Sequence, residues 1–205
     1  MAEAIITFFT GLGWDGAAVA AVLAVIPVTE LKGAILYSAA RGGEVLFSVF
    51  VAYLSSVLLA AVLAFTVPRT LAVARRSALG GKMTSFLTDR LGTRADRISS
   101  NAEKTGRRRE DARTFGVFAF VAIPLPLTGV WAGALLSALL GQKPKNAFFA
   151  LSAGNFSAGG VVFAVAMLAG DRANIIFAAF LCLALAFLLC AILKTALTRR
   201  RRARE

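Results

Sequence analysis

Long hydrophobic runs separated by short polar stretches dominate the pattern of the chain. Three of these runs contain no charged residue: Val45–Val67, Ala147–Gly170 and Ala173–Leu193. Each is long enough to cross a hydrocarbon core as a helix, which takes roughly 20 apolar residues. The pattern therefore predicts an all-α integral membrane protein with about three full spans.

The basic residues predict how these spans are oriented. The chain carries 23 Lys and Arg against 11 Asp and Glu, and most of the bases lie in residues 69–113 and in the tail from Lys194. Such clusters favour the cytoplasmic face and attract anionic lipid headgroups. They lack the interleaved aromatic residues of a nucleic-acid stacking surface, so no nucleic-acid partner is expected. The N-terminus is then outside and the C-terminus cytoplasmic.

Two further apolar segments, residues 17–40 and 115–141, begin and end on the same side under this charge rule. A helix that returns to its starting side must turn back inside the membrane. Proline breaks a helix and glycine permits a turn, and both segments contain these residues. The predicted breaks contain Pro27 and Gly33 in the first segment, and Pro124, Pro126, Gly129 and Gly133 in the second. We expect two re-entrant helical hairpins.

The two hairpins resemble each other in sequence. "IPVTELKGAILYS" at Ile26–Ser38 aligns with "IPLPLTGVWAGALLS" at Ile123–Ser137, and a full span follows each hairpin. One hairpin would enter from outside and the other from inside, which is the inverted-topology repeat of many secondary transporters. The expected organisation is a single membrane domain, 1–205, divided into a first repeat (1–68; hairpin about 17–40, span 45–67), a connection (69–114) with a short amphipathic helix near 83–91, a second repeat (115–170; hairpin 115–141, span 147–170), a last span (173–193) and a basic cytoplasmic tail (194–205).

Glu30 and Lys32 are the most informative residues, because charged side chains inside a membrane are costly and usually functional. On a regular helix two residues two positions apart point about 200° away from each other, so one would face lipid. In an unwound turn both could face a shared polar cavity. The functional interpretation is that Glu30 binds and releases a proton or cation while Lys32 holds an anionic group. The structural interpretation is a mutually neutralising pair or a pair at the headgroups.

Other candidate binding residues surround this break or its counterpart in the second half. They are Thr29, Thr128, Gly129, Trp131, Asn155 and Arg113. Thr128 and the backbone at Gly129 could bind a polar headgroup, and Trp131 could contact an amphiphile, anchor at the interface or pack the hairpin. Asn155 lies inside a span and is expected to donate to a broken hairpin, and Arg113 either draws in an anionic substrate or simply flanks the membrane. Gly129 and Gly133 form a Gly-x-x-x-Gly pattern, which fits either a homodimer or closure of the hairpin.

Catalytic chemistry finds little support in the sequence. The chain has no histidine, and neither a Ser/His pair, a His/Glu pair nor a paired-aspartate constellation is present. The two cysteines, Cys182 and Cys190, are eight residues apart in one helical run, too far for a disulfide. We expect no enzyme activity, no cofactor and no metal.

The segments "IPVTELKGAI" and "IPLPLTGVWAGALLSALLG", with the later "GN" at Gly154–Asn155, resemble the bacterial and archaeal family of small multidrug export proteins. That family is similar to the DedA (VTT-domain) membrane proteins. The resemblance implies a prokaryotic plasma-membrane protein with two facing re-entrant hairpins, a link to lipid phosphates or lipid scrambling, and a dependence on intramembrane charges such as Glu30 and Lys32. The second hairpin lacks the arginine that DedA proteins carry there.

The leading functional prediction is a small secondary transporter of an amphiphilic, anionic lipid-like substrate such as a lipid phosphate, coupled to protons through Glu30. An exporter of small drug-like cations, with Glu30 as counter-charge, is the second transporter hypothesis. From another class, a non-transporting membrane scaffold would depend on the basic connection rather than on the hairpins.

Overall fold

The computed structural model describes residues 7, 11, 13–74, 109–126 and 128–202, and the regular structure within these residues is helical. Its elements are α1 (Gly16–Val25), α2 (Glu30–Arg41), α3 (Val45–Ala74), α4 (Arg109–Ala122), α5 (Val130–Leu139), α6 (Pro144–Ala169), a 3₁₀ turn (Gly170–Arg172) and α7 (Ala173–Arg202). The amphipathic helix predicted near residues 83–91 lies outside the described residues.

Two of these helices are long and apolar enough to cross a membrane. They cover Val45–Val73 and Pro144–Ala169, and only 17% and 33% of the most apolar windows in these helices are buried inside the protein. The core helix of a soluble protein would be mostly buried, whereas these helices present bulky apolar side chains such as Leu58 and Phe149 outward. We therefore treat the protein as a membrane protein.

The third predicted span, 173–193, lies inside α7. The described apolar part of α7, Ala173–Ala186, is shorter than a full span. The tail predicted from residue 194 is a continuation of the same helix to Arg202.

Each half of the chain contains a short helix, a break and a second short helix. The first break, residues 26–29, contains Pro27, and the second, residues 123–129, contains Pro124 and Pro126. Proline removes a backbone N–H and disfavours helix in the residue before it, so both helices end where these residues arrive. Gly33 and Gly133, predicted to lie in the breaks, lie instead inside α2 and α5. Both are needed there as small packing residues.

The helices of the two halves pack in corresponding ways. α1 packs on α3 as α4 packs on α6, while α5 crosses to α3 and α2 crosses to α6. Helices α2 and α5 begin 100 positions apart, at Glu30 and Val130, and α3 and α6 begin 99 apart. Two separate apolar clusters result, one around α1, α2 and α7 and the other around α4, α5 and α6.

A buried hydrogen bond joins the two long helices where they cross. The Asn155 side-chain Nδ2 in α6 donates to Ser56 Oγ in α3 at 2.6 Å. Asn155 was expected to serve a broken hairpin, and this expectation is wrong for its amide N–H. The amide instead donates to a serine at the corresponding position of the other half.

Gly154 allows α4 to pack closely on α6. A Cβ at position 154 would lie 2.8 Å from the backbone carbonyl oxygen of Phe118 and 2.9 Å from the Val121 side chain, so α4 would have to move. Gly160, in the same helix, has open space at its Cβ position. Gly154 and Gly160 therefore lie in the same helix, but only Gly154 is packed against a neighbouring helix.

We predict that Gly154→Ala lowers the stability of the protein by about 1–3 kcal/mol, the usual range for overpacking. Gly160→Ala is the matched control and is expected to leave stability unchanged or raise it by up to about 1 kcal/mol, because alanine is the better helix former. The apparent melting temperature of detergent-purified protein measures both. Equal melting temperatures for the two variants would contradict the packing of α4 on α6.

Candidate functional site

Glu30 and Lys32 are both buried in the protein interior, with 2% and 0% of their surface exposed. Their carboxylate Oε2 and ammonium Nζ lie 3.4 Å apart. The prediction that both sit in an unwound turn is wrong, since they occupy the first turn of α2. They meet because Glu30 has a backbone φ of +52°. This left-handed conformation, uncommon for a residue other than glycine, turns Glu30 out of the regular helical path.

The Lys32 ammonium group binds the second break. Its Nζ donates to the backbone carbonyl of Leu125 at 2.7 Å and lies 3.4 Å from the hydroxyl of Thr128. With Glu30 these groups make three acceptors, which equals the number of N–H donors on an ammonium. Lys32 therefore ties a helix of the first half to the loop of the second half, with all of its donors engaged.

The Glu30 carboxylate lies against the start of α5. A Cβ on Gly129 would overlap both carboxylate oxygens, so only glycine leaves room for them. The backbone N–H of Trp131 also faces the carboxylate, at the end of the helix where the dipole favours negative charge. Oxygen Oε2 contacts Lys32, whereas the buried Oε1 has no hydrogen-bond partner among the described residues.

The place where the two breaks meet is called the crossing below. The remaining polar side chains there form hydrogen bonds with backbone carbonyls at or beside the breaks. Trp131 Nε1 donates to the Val25 carbonyl at 3.0 Å, and the Thr29 hydroxyl donates to the Leu23 carbonyl at 2.6 Å. The Thr128 hydroxyl lies 2.8 Å from the carbonyls of both Ile123 and Leu125. Irregular backbone is tolerated at membrane depth only when such partners are supplied. Trp131 and Thr128 thus act here as backbone partners.

Arg113 and Asn155 lie away from this crossing. Arg113 is near the start of α4, roughly 15 Å along the helix from the second break at 1.5 Å per residue, and its Nε has no partner among the described residues. Asn155 is engaged with Ser56 in α3. The crossing therefore brings together Thr29, Glu30, Lys32, Thr128, Gly129 and Trp131, and leaves out the other two predicted residues.

The Leu125 carbonyl, the closest partner of Lys32, was missed in the sequence. It lies between Pro124 and Pro126, so the chain there cannot continue a helix that would use this carbonyl. A carbonyl between two prolines inside an apolar segment is the signal that could have identified it.

The Gly-x-x-x-Gly pattern at Gly129 and Gly133 serves packing within the chain. A Cβ on Gly133 would lie 2.5 Å from Val121 and 2.6 Å from Leu151, and Gly129 faces Glu30. Both glycines are covered by other parts of the same chain, so the pattern serves packing within the chain and gives no support to a homodimer.

We predict very different costs for breaking the two ion pairs of the described residues. Lys32→Met leaves the Glu30 carboxylate buried and unpaired, which should cost about 3–5 kcal/mol. Lys143→Met removes the exposed pair with Glu110, where the atoms are 3.1 Å apart, and should cost at most about 1 kcal/mol. Thermal unfolding in detergent measures both variants.

The double variant Glu30→Gln/Lys32→Met tests whether the unpaired Glu30 carboxylate causes this loss of stability. It removes both charges, so it should be more stable than Lys32→Met alone. If Lys32→Met and Lys143→Met unfold at the same temperature, the buried pair does not join the two halves.

Comparison with known proteins identifies one family. Residues 30–162, which include α2 to α5 and most of α6, match the sequence model of the family described as "Putative small multi-drug export protein". No curated protein and no solved structure matches the chain significantly. The match begins at Glu30 and covers the charge pair, the second break, α3 and most of α6. Because it covers more than half of the sequence, the chain belongs to the family of small multidrug export proteins.

Proposed function

We propose that the protein is a small secondary transporter that exports an organic cation in exchange for protons, with Glu30 as the exchanging group. The observation that supports this most strongly is the state of the two charges at the crossing. Lys32 has all three donors engaged, whereas one oxygen of the buried Glu30 carboxylate has no partner among the described residues. The group at the site that remains free to bind a ligand is therefore an anionic hydrogen-bond acceptor.

An unpartnered carboxylate oxygen can take a proton or a cation, but not both at once. Protonation neutralises the carboxylate and weakens its attraction to Lys32, while a bound cation requires the ionised form. Competition of this kind couples the release of one ligand to the binding of the other. This is the simplest route by which a single buried carboxylate supports exchange of a cation for protons.

An anionic lipid-like substrate such as a lipid phosphate is the alternative. It would need donors from Lys32, which would have to leave the Leu125 carbonyl and Thr128 and thereby open the second break. The cost of leaving those groups unsatisfied in a membrane favours the cation hypothesis. The export of drug-like compounds named in the family description agrees with the same choice.

The proposal includes an inverted repeat of two re-entrant hairpins. Helix α1 has ten residues, about 15 Å at 1.5 Å per residue and half the thickness of a hydrocarbon core. Both breaks would then lie near the midplane, where they contact each other through Lys32 and Trp131. Ser56 and Asn155, which are hydrogen bonded to each other, are 99 positions apart, close to the spacing of the helix starts. A pseudo-two-fold axis would bring such equivalent positions together.

The membrane placement and the wider kinship belong to the same proposal. We place the chain in the plasma membrane of a prokaryote, with its N-terminus outside, its C-terminus cytoplasmic and its basic connection near anionic headgroups. Kinship with DedA proteins is supported by the two broken segments and the intramembrane charges, although the second break carries no arginine.

We predict that proteoliposomes with a pH gradient transport ethidium, a lipophilic organic cation, and that Glu30→Gln lowers the initial rate at least tenfold. The amide cannot exchange a proton, so the gradient should no longer drive transport. Glu110→Gln is the matched control, because Glu110 also pairs with a lysine but is partly exposed, and its rate should stay within twofold of wild type. Fluorescence of entrapped ethidium gives the rate.

A parallel set of liposomes carries a fluorescent lipid phosphate instead of ethidium. Translocation of the lipid but not of ethidium would replace the cation hypothesis with the lipid alternative. If folded wild-type protein moves neither compound, the transport proposal is refuted and the scaffold hypothesis gains support.

The inverted topology makes a separate prediction. In a Cys182→Ser/Cys190→Ser background, single cysteines at the exposed positions Glu44 and Lys145 should react with a membrane-impermeant maleimide from opposite sides of the membrane. Glu44 precedes α3 and Lys145 lies in the first turn of α6, so an inverted repeat places them on different sides. Labelling of both from one side of intact cells would exclude the inversion.

A further inference from the structure

A polar cavity lies at the opposite end of α2 from Glu30. It has a volume of about 280 Å³ and is bounded by the start of α1, the end of α2 and the start of α3. The polar side chains that line it include Asp15, Arg41, Glu44 and Ser48. The volume is at the lower end of the range for small-ligand sites, so the cavity fits a small polar group.

Charges of both signs line this cavity without neutralising each other. Within the described residues, Arg41 makes no ion pair shorter than 4.0 Å with Asp15 or Glu44. Its guanidinium group lies instead against Gly16, where any Cβ would overlap it. Because Gly16 has no side chain, the Arg41 guanidinium group can lie at the wall of the cavity. One cation and two carboxylates remain available around a shared space.

Two hydroxyl groups, those of Tyr37 and Ser48, lie near these charges. Tyr37 is 1% exposed, and its hydroxyl is near enough to Arg41 and Asp15 to interact with both electrostatically. Ser48 is 8% exposed and lines the cavity directly. The Ser48 hydroxyl therefore adds a neutral hydrogen-bonding group to the charged side chains around the cavity.

The position of the cavity in the membrane narrows the choice of ligand. Glu44 immediately precedes α3, and the apolar run of α3 begins at Val45. Phe47, also at the cavity, is largely exposed. The site therefore lies where a membrane span leaves the hydrocarbon, at the level of the lipid headgroups.

We propose that this cavity binds a zwitterionic phosphoethanolamine group, with its phosphate on Arg41 and its primary ammonium between Asp15 and Glu44. A guanidinium group binds phosphate oxygens in a bidentate manner. A primary ammonium has three donors for the two carboxylates, whereas a trimethylammonium has none. The three side chains sum to one net negative charge, which disfavours a purely anionic headgroup. The proposal is independent of the function assigned to Glu30.

The test is native mass spectrometry of the full-length protein with three lipids of equal chain length. Phosphatidylethanolamine should bind at least tenfold more tightly than phosphatidylcholine, which lacks ammonium donors, and than phosphatidylglycerol, which lacks the ammonium. Competition with soluble O-phosphoethanolamine at millimolar concentration shows whether the cavity binds the group as a lipid headgroup or as a free compound. No displacement of the lipid assigns the site to the lipid headgroup, and full displacement assigns it to the free compound.

Variants connect the binding to the cavity. Arg41→Gln should weaken phosphatidylethanolamine binding at least fivefold, and Asp15→Asn/Glu44→Gln should abolish the preference over phosphatidylglycerol. Arg172→Gln is the matched control, because Arg172 is an exposed arginine in the turn that contacts α2, and it should bind within twofold of wild type. Ser48→Leu fills the cavity without changing a charge and should weaken binding if the charge variants fail to fold.

The proposal is overturned if wild-type protein binds the three lipids within twofold of one another. That comparison needs no variant, so misfolding of a mutant cannot obscure it. An unchanged preference in a folded Arg41→Gln protein would equally place the lipid elsewhere.

Discussion

The structure depends on one constraint: buried charged groups and broken backbone must satisfy each other, because an unpaired polar group away from water is costly. Lys32 meets both needs at once, since its ammonium pairs with Glu30 and also holds the carbonyl of the second break. Trp131 provides the reciprocal contact by donating to the carbonyl at the end of α1. Neither break is complete without the other half of the chain.

This mutual dependence explains the unusual local chemistry at Glu30. The residue adopts a left-handed backbone conformation, which costs on the order of 1–3 kcal/mol and persists only where the surroundings impose it. Those surroundings are the Gly129 backbone, which leaves room for the carboxylate, and Lys32, which attracts it. This strain and the unpartnered carboxylate oxygen are the two observations from which a function for Glu30 is proposed.

The sequence predicted the helical class and both proline breaks, because apolar runs and prolines act locally. It did not predict that Gly33 and Gly133 lie inside helices, because a glycine that opens a turn and one that admits a neighbouring helix look alike in sequence. The partners of Lys32 and Asn155 were also missed. Leu125 and Ser56 are more than 90 residues away from them, and such contacts are set by how the helices cross.

The ends of the two halves differ in a way that bears on function. Glu44 before α3 and Lys143 before α6 are 99 positions apart, the same spacing as the starts of those helices. In the second half, Lys143 and Asn146 both hold Glu110, and Gln142 binds Thr114, so the start of α4 is fastened to the start of α6. In the first half, the corresponding place is the open cavity at Asp15, Arg41 and Glu44. If equivalent ends face opposite sides of the membrane, one side is closed by side chains and the other is accessible, which is the asymmetry that alternating access requires.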